Sequence, residues 1–252
     1  MTTRTYVLVG AGGTGSILLP PLMRYLTGYH VNRAENHILA IIDGDHVEEK
    51  NLARQMFEGE YVEENKANAL TAIYGDATTR AIPEFLSDDN IEARIFDGDT
   101  VLIAADNYDV RARIERHGLT LQNLTVINGG NEDLDGSLQL WLRRDGQNVT
   151  PQMSFGHAEI LVASPHDPSR LSCAQRAELP GGEQTIVANM MSATQMLNAV
   201  RKVHEWERDL TIVAAVLPWH ELYFDLQTGN TKTYDRRPQT GWQTPTPEAV
   251  LA

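Results

Sequence analysis

Tyr6-Val7-Leu8-Val9-Gly10-Ala11-Gly12-Gly13-Thr14-Gly15-Ser16 decides the fold. Its four leading apolar residues read as a buried strand, and the glycine turn after them opens a stretch of helical character. The chain therefore begins as strand, tight turn and helix. Glycines at 10, 12, 13 and 15 let the backbone come within hydrogen-bond reach of phosphate oxygens, and the N–H groups of a helix start add partial positive charge there. The G-x-G-x-x-G spacing suits nicotinamide, flavin and ATP binders alike. It also occurs in turns that only pack a strand against a helix.

Downstream residues narrow the choice. A second apolar run, Ile38-Leu39-Ala40-Ile41-Ile42, ends at Asp43, where a carboxylate can accept hydrogen bonds from ribose hydroxyls. Asp43-Gly44-Asp45 is equally ordinary turn chemistry. Asn51, Arg54, Gln55 and Lys66 then bring two cations and two amides into one short stretch, more than hydride transfer needs. A site that joins a carboxylate to a phosphate does need them, because cations offset the repulsion between two anions and stabilise the charge that develops in transfer. Lys66 has a plainer reading as a solvated residue paired with Glu63 on one helix face. A further apolar run, Val101-Leu102-Ile103-Ala104-Ala105, puts Asp106 at the carboxyl end of a parallel strand, where open α/β sheets hold ligands. Asn107 and Arg111 either orient Asp106 or simply start the next helix.

Taken in order, GAGGTGS, D-G-D-x-V-x-x-x-N-L-x-R-Q, N-K-A-x-A-L and AADNYDVRAR make the chain resemble the ThiF/MoeB/ubiquitin-activating superfamily over about residues 6–130. The resemblance implies an adenylyltransferase that uses ATP to activate the C-terminal glycine carboxylate of a ubiquitin-like or sulfur-carrier protein, acting as a homodimer. On the matching positions, Gly10, Gly12, Gly13, Gly15, Asp43 and Asp45 belong to the nucleotide site, with Asp43 on the ribose. Asn51, Arg54 and Gln55 position the triphosphate and acceptor, Lys66 binds phosphate, and Asp106 is the ligand of Mg²⁺. The implied fold is α/β: a Rossmann-like three-layer arrangement with a mixed sheet, parallel in its N-terminal half and antiparallel in its C-terminal half.

The pattern along the chain agrees. Strand-like runs near 5–10, 38–43, 78–82, 100–105 and 123–128 alternate with helical stretches near 14–27, 62–74 and 109–121, as a parallel sheet requires. Pro20 and Pro21 predict a kink in the first helix. Beyond Asn128 the period changes to two in Ser137–Leu142, and Leu222–Gln227 turns through Thr228-Gly229-Asn230 into Thr231–Tyr234, which predicts antiparallel elements. One domain over residues 1–252 is expected, with a nucleotide-binding half at 1–130 and a second half at 131–252. An irregular crossover at about 143–182 interrupts that second half, a long helix at 183–207 follows it, and the tail from Pro238 to Pro247 reads as extended.

Composition bounds the partners. The 252 residues carry a net charge of −13, which disfavours nucleic acid and anionic membrane, and 42% of them are hydrophobic, ordinary for a soluble globule. No run reaches the ~20 apolar residues of a membrane span, and the expected location is cytoplasmic. The lone cysteine, Cys173, lies in the crossover near Arg170 and Arg176. Neighbouring cations favour its thiolate, so it is a candidate nucleophile for transfer of the activated acyl group, while a small buried hydrophobe is an equal reading. The surroundings of Cys173 resemble ThiF-type proteins of PRTRC-type gene clusters.

The chain departs from the family pattern in three ways. It lacks paired C-x-x-C motifs, so no zinc is expected. Met1–Thr5 is too short to lend an arginine to a neighbouring subunit's ATP, so either Arg54 and Lys66 suffice or an arginine from a partner chain completes the site. The terminal Val250-Leu251-Ala252 lacks a diglycine, so the chain is expected to act on a carrier. Two rival readings stand beside this one. A nicotinamide-dependent oxidoreductase would have its acidic ribose residue about 20 residues past the glycine loop, nearer than Asp43, and would not need Arg54 and Lys66. A non-catalytic ThiF-like binding partner would keep the fold without the chemistry.

Overall fold

The computed structural model describes residues 3–162, 185–209 and 219–236. Strands β1 (Thr3–Val9), β2 (Asn36–Ile42), β3 (Thr79–Ile82), β4 (Thr100–Ile103) and β5 (Leu124–Asn131) form a parallel half. The antiparallel half is built from β6 (Asp135–Arg144), the short β7 (Gln147–Asn148), β8 (Glu221–Asp225) and β9 (Asn230–Tyr234). The strand order is β3-β2-β1-β4-β5-β6-β8-β9, with β7 paired to β6. From β1 the chain winds outward through β2 and β3, then returns to lay β4 on the other side. The crevice at the carboxyl ends of β1 and β4 is the switch point at which doubly wound sheets bind ligands.

Alternation along the strands produces the layers. Tyr6 and Leu8 of β1 face one apolar cluster together with Leu102 and Leu140, while Val7 and Val9 face another with Val101, Ile103 and Trp141. The first cluster is closed by α1 (Gly13–Val31), α2 (Lys66–Tyr74) and α5 (Ile186–Asp209), the second by α3 (Tyr108–Gly118) and α4 (Glu159–Val162). In α1, Leu18, Leu19, Leu22 and Leu26 are fully buried, each contributing about 1.5–3 kcal/mol. That packing carries α1 as one 19-residue helix through half-buried Pro20 and exposed Pro21.

The crossover begins later than the sequence suggests. β6 continues to Arg144, and Asp145 and Gly146 turn it into β7 with positive φ angles of 50° and 72°. Buried Glu115 of α3 then accepts hydrogen bonds from the Ser154 N–H and hydroxyl, fastening the following segment. The long helix runs over Ile186–Asp209, with Met196 in the core, Met191 and Leu197 packed against it and Met190 half exposed.

Candidate functional site

The glycine turn is built under steric constraint, except at one position. Gly10 has φ +96°, and a Cβ there would lie 2.7 Å from the Ala105 nitrogen, so β1 and β4 can diverge this closely only over glycine. A Cβ on Gly15 would come within 2.0 Å of the Gly10 carbonyl oxygen, and one on Gly13 within 2.2 Å of Asn189 Nδ2. Gly12, the N-cap of α1, has open space where its Cβ would be. Among the described residues no side chain caps α1, and no acidic residue stands in its first turn, so the positive end of the helix dipole could accept an anion.

Asp43 ties this turn to β2. Its carboxylate accepts the Ala11 N–H at 2.6 Å and the Asp45 N–H at 2.8 Å. Burial pushes its pKa up, against the opposing effects of Lys66 and those two N–H groups. Asn65 caps α2 through its side-chain oxygen and donates its amide to the Asp43 and Asp45 carbonyls. Lys66, the first residue of α2, is thereby held with its Nζ 3.3 Å from Asp45 Oδ2, and Asp45 rather than Glu63 is its partner. Gly10, Gly12, Asp43, Asp45, Lys66 and Asp106 line one cavity of about 100 Å³. Phe85, which is 65% exposed and packs on Gly44, forms part of its apolar wall with Leu86 and Val110.

Asn51, Arg54 and Gln55 follow on the turn at Glu49–Asn51, outside the lining of that cavity. Asn51 is buried and its side-chain oxygen accepts the Glu48 N–H in a capping box. The Gln55 N–H donates to the Asn51 carbonyl, and the Gln55 side-chain oxygen is buried with no hydrogen-bond partner among the described residues. Arg54 is half-buried. Ser16 of α1 joins this turn by accepting the Met56 N–H at 3.1 Å.

Asp106 is where this cavity meets a second one. The larger cavity, about 390 Å³, is lined by Asp106, Tyr108, Arg111, Asn131, Glu132 and Tyr223 among others, on a floor of β5, β6 and β8. Asn107 caps α3 by accepting the Asp109 N–H, and that cap sets the helix so that Arg111 Nη2 lies 3.7 Å from Asp106 Oδ1. The Arg111 guanidinium also lies over the Tyr108 ring, and a Cβ at Gly130 would be 2.8 Å from its Nη2. Sequence motifs point to Asp106 and Arg111 but not to Asn131 and Glu132, at and just after the end of β5, or to Tyr223 of β8 in the antiparallel half. Gly129-Gly130 at the end of β5 was the signal available, since glycine inside a strand marks close approach by another group.

No three His, Cys, Asp or Glu side chains among the described residues are grouped to hold a metal. Mg²⁺ needs no such cage: it is commonly held by one or two carboxylates, substrate phosphates and water. Asp106, partly exposed at the junction of the two cavities, suits that role. Cys173 lies outside the described residues. No described helix is long and apolar enough to cross a membrane.

Comparison with known proteins gives a consistent picture. The model of the ThiF family matches residues 2–234. No match was found among curated proteins. Among solved structures, PaaA superposes with a TM-score of 0.59 at 18% identity, covering 92% of this chain and 64% of PaaA. Escherichia coli MccB crystallised with ATP gives 0.62 at 14% identity, covering 92% and 63%. MccB crystallised with AMPCPP and MccA gives 0.61 at 15%, also covering 92% and 63%. The shared feature is the fold, and this chain spans less than two thirds of the length of those structures.

Proposed function

This chain belongs to the ThiF family, and on that premise we propose that it is an ATP-dependent adenylyltransferase acting on the C-terminal carboxylate of a peptide or small carrier protein. The observation that carries this reading is the meeting of the two cavities at Asp106, one beside an uncapped helix N-terminus and Lys66, the other beside Arg111. Such a pair lets two anions be brought together with a cation on each side. That MccB was crystallised with ATP and with MccA supports two occupants of this kind.

In the reaction, an oxygen of the acceptor carboxylate attacks the α-phosphorus of ATP. The bond from that phosphorus to the bridging oxygen of pyrophosphate breaks, and acyl adenylate and pyrophosphate form. The N-terminus of α1 and Lys66 draw in the phosphates, and Asp43 receives the ribose. Arg111 holds the acceptor carboxylate. Arg54, Asn51 and Gln55 steady the triphosphate from the neighbouring turn. Asp106 would hold Mg²⁺, which when bound neutralises charge on the triphosphate.

The finer reading makes the acceptor a ubiquitin-like or sulfur-carrier protein ending in glycine and the enzyme a cytoplasmic homodimer. On sequence grounds a second step follows at Cys173, whose thiolate attacks the acyl carbon of the adenylate while AMP leaves. The test is ATP–pyrophosphate exchange with candidate acceptors whose C-termini are free or amidated. Exchange that requires the free carboxylate supports the proposal. ATP binding with no exchange for any acceptor would reduce the chain to a binding partner, and saturable NADH binding without ATP binding would replace the reading with an oxidoreductase.

A further inference from the structure

The N-terminus of α1 is approached by a side chain that none of the motifs contains. Asn189 of α5 is fully buried, and its side-chain oxygen accepts a hydrogen bond from Asn131 Nδ2 at 2.9 Å. The orientation of that contact follows from its surroundings. Asn131 Nδ2 also donates to the Glu132 carbonyl, which can only accept, and Asn131 Oδ1 accepts the Thr14 hydroxyl at 2.8 Å. Asn131 therefore presents a donor to Asn189, and Asn189 must answer with its oxygen. Its Nδ2 is turned the other way, onto Gly13 in the first turn of α1, and has no hydrogen-bond partner among the described residues. A buried amide N–H left without an acceptor is unfavourable, and in native proteins such a group usually awaits a ligand or water.

Two independent features thus converge. One is a 19-residue helix whose N-terminus has no side-chain cap and no acidic residue in its first turn. The other is an unused donor packed on that turn from a different element. Gly13 is glycine because Asn189 occupies the space a Cβ would take.

We propose that Asn189 is a nucleotide-binding residue whose Nδ2 donates to a phosphate oxygen held at the N-terminus of α1. This rests on the ATP site proposed above. It assigns α5, which follows the crossover in the chain, a direct part in phosphate binding, so a helix otherwise occupied with packing against β5 and β6 reports on the nucleotide. The ligand chemistry is an anionic phosphate oxygen. Adenosine, which lacks one, gains nothing from Asn189.

Calorimetric titration of ATP with Mg²⁺, and separately of adenosine, into wild type and Asn189→Leu tests this. Leucine keeps the approximate size of the side chain, removes the donor and adds no charge, but it also takes away the oxygen that accepts Asn131 Nδ2. The expected result is an ATP affinity lower by about ten- to a hundredfold, the effect of losing a hydrogen bond to a charged group, with adenosine affinity unchanged and a thermal midpoint somewhat lowered by the acceptor that Asn131 loses. ATP affinity within twofold of wild type overturns the assignment and leaves the nucleotide site standing. Equal losses for ATP and adenosine overturn it as well, because the pocket itself has then been disturbed. If wild type binds neither compound, the adenylation reading falls and Asn189 with it. Should Asn189→Leu not fold, Asn189→Ala is read by the same criteria.

Discussion

Lys66 and Asp45 form an ion pair of 3.3 Å in which the ammonium is buried and the carboxylate is about a third exposed. On the proposed function, an incoming triphosphate would meet a lysine that is already desolvated and positioned at the start of α2, and Asp45 could turn to water as phosphate took its place. Lys66→Met keeps the aliphatic stem and leaves an Asp45 that can hydrate. Pyrophosphate exchange should fall by about a hundredfold or more, the scale for loss of one group that stabilises transition-state charge. Thermal stability should drop by only about 1 kcal/mol. Asp45→Ala should be the less stable of the two, since it strands a buried ammonium. The reverse order in thermal midpoints would mean that Lys66 serves the fold more than the phosphate.

Asp106 lies at the seam of the two cavities with Arg111 as a neighbour, outside both apolar clusters. Asp106→Asn should abolish exchange at saturating ATP and leave circular dichroism and the thermal midpoint close to wild type. An unfolded Asp106→Asn would show that the carboxylate had been mistaken for a reactive group when it is a structural one.

Glycines within a single motif should separate by what they do. Gly15→Ala puts a methyl group 2.0 Å from a backbone oxygen that cannot move aside, so the protein should lose about 3 kcal/mol or fail to fold. Gly12→Ala meets nothing within 4 Å, so it should cost far less stability than Gly15→Ala. It should fold and bind ATP poorly, because the space it fills is where phosphate must approach. Normal ATP affinity in Gly12→Ala would move the phosphates away from this turn.

For Cys173 the expectation comes from the order of the two proposed steps. Cys173→Ala should exchange pyrophosphate at the wild-type rate while failing to form a thioester, detected as a hydroxylamine-sensitive adduct with the acceptor. Loss of exchange in a stably folded variant would put the thiol in the nucleotide site.

Much of this is legible in the sequence because it is local. Apolar runs bounded by glycine and aspartate located β1, β2 and β4 to within a few residues, and the period-two stretch from Ser137 located β6. Asn107 falls at a cap because asparagine accepts N–H groups of a helix start. What escaped was long-range. Lys66 had a neighbour three residues away to pair with in sequence, but the fold gives it Asp45 instead. Asn131 and Asn189 are single amides on a strand and a helix, and neither periodicity nor spacing marks them. Their roles exist only because the fold sets the beginning of α5 beside the start of α1. The glycine motif itself mixes roles that spacing does not separate: Gly13 and Gly15 answer to packing, while Gly12 has open space where its Cβ would be.

At the opposite end of α1 a buried polar chain predicts how stability depends on pH. The His30 Nδ1–H donates to the Glu35 carboxylate at 3.0 Å, so neutral His30 accepts the Tyr6 hydroxyl at Nε2, 2.9 Å away. With its proton so used, the Tyr6 oxygen accepts His204 Nε2–H at 2.8 Å, which leaves His204 Nδ1 to accept the Tyr25 hydroxyl at 3.1 Å. Every proton in the series is spoken for, and a further one on His204 would set N–H against O–H. Burial accordingly pushes the His204 pKa down to about 3, and burial lowers that of His30 too. A histidine depressed in the folded state is protonated first in the unfolded chain. Its contribution is therefore complete above about pH 6.5 and lost as the pH falls toward 3, at up to about 1.4 kcal/mol per pH unit. Urea midpoints should fall for wild type between pH 7 and 5, a window above the usual carboxylate range, and fall less steeply for His204→Gln. Asp99, whose pKa burial raises to about 6, and His157, raised chiefly by its hydrogen bond to Glu221, act in the opposite sense in that window, so the difference between wild type and variant is the readout. A wild-type midpoint that changes in parallel with the variant would show that the chain admits the proton after all.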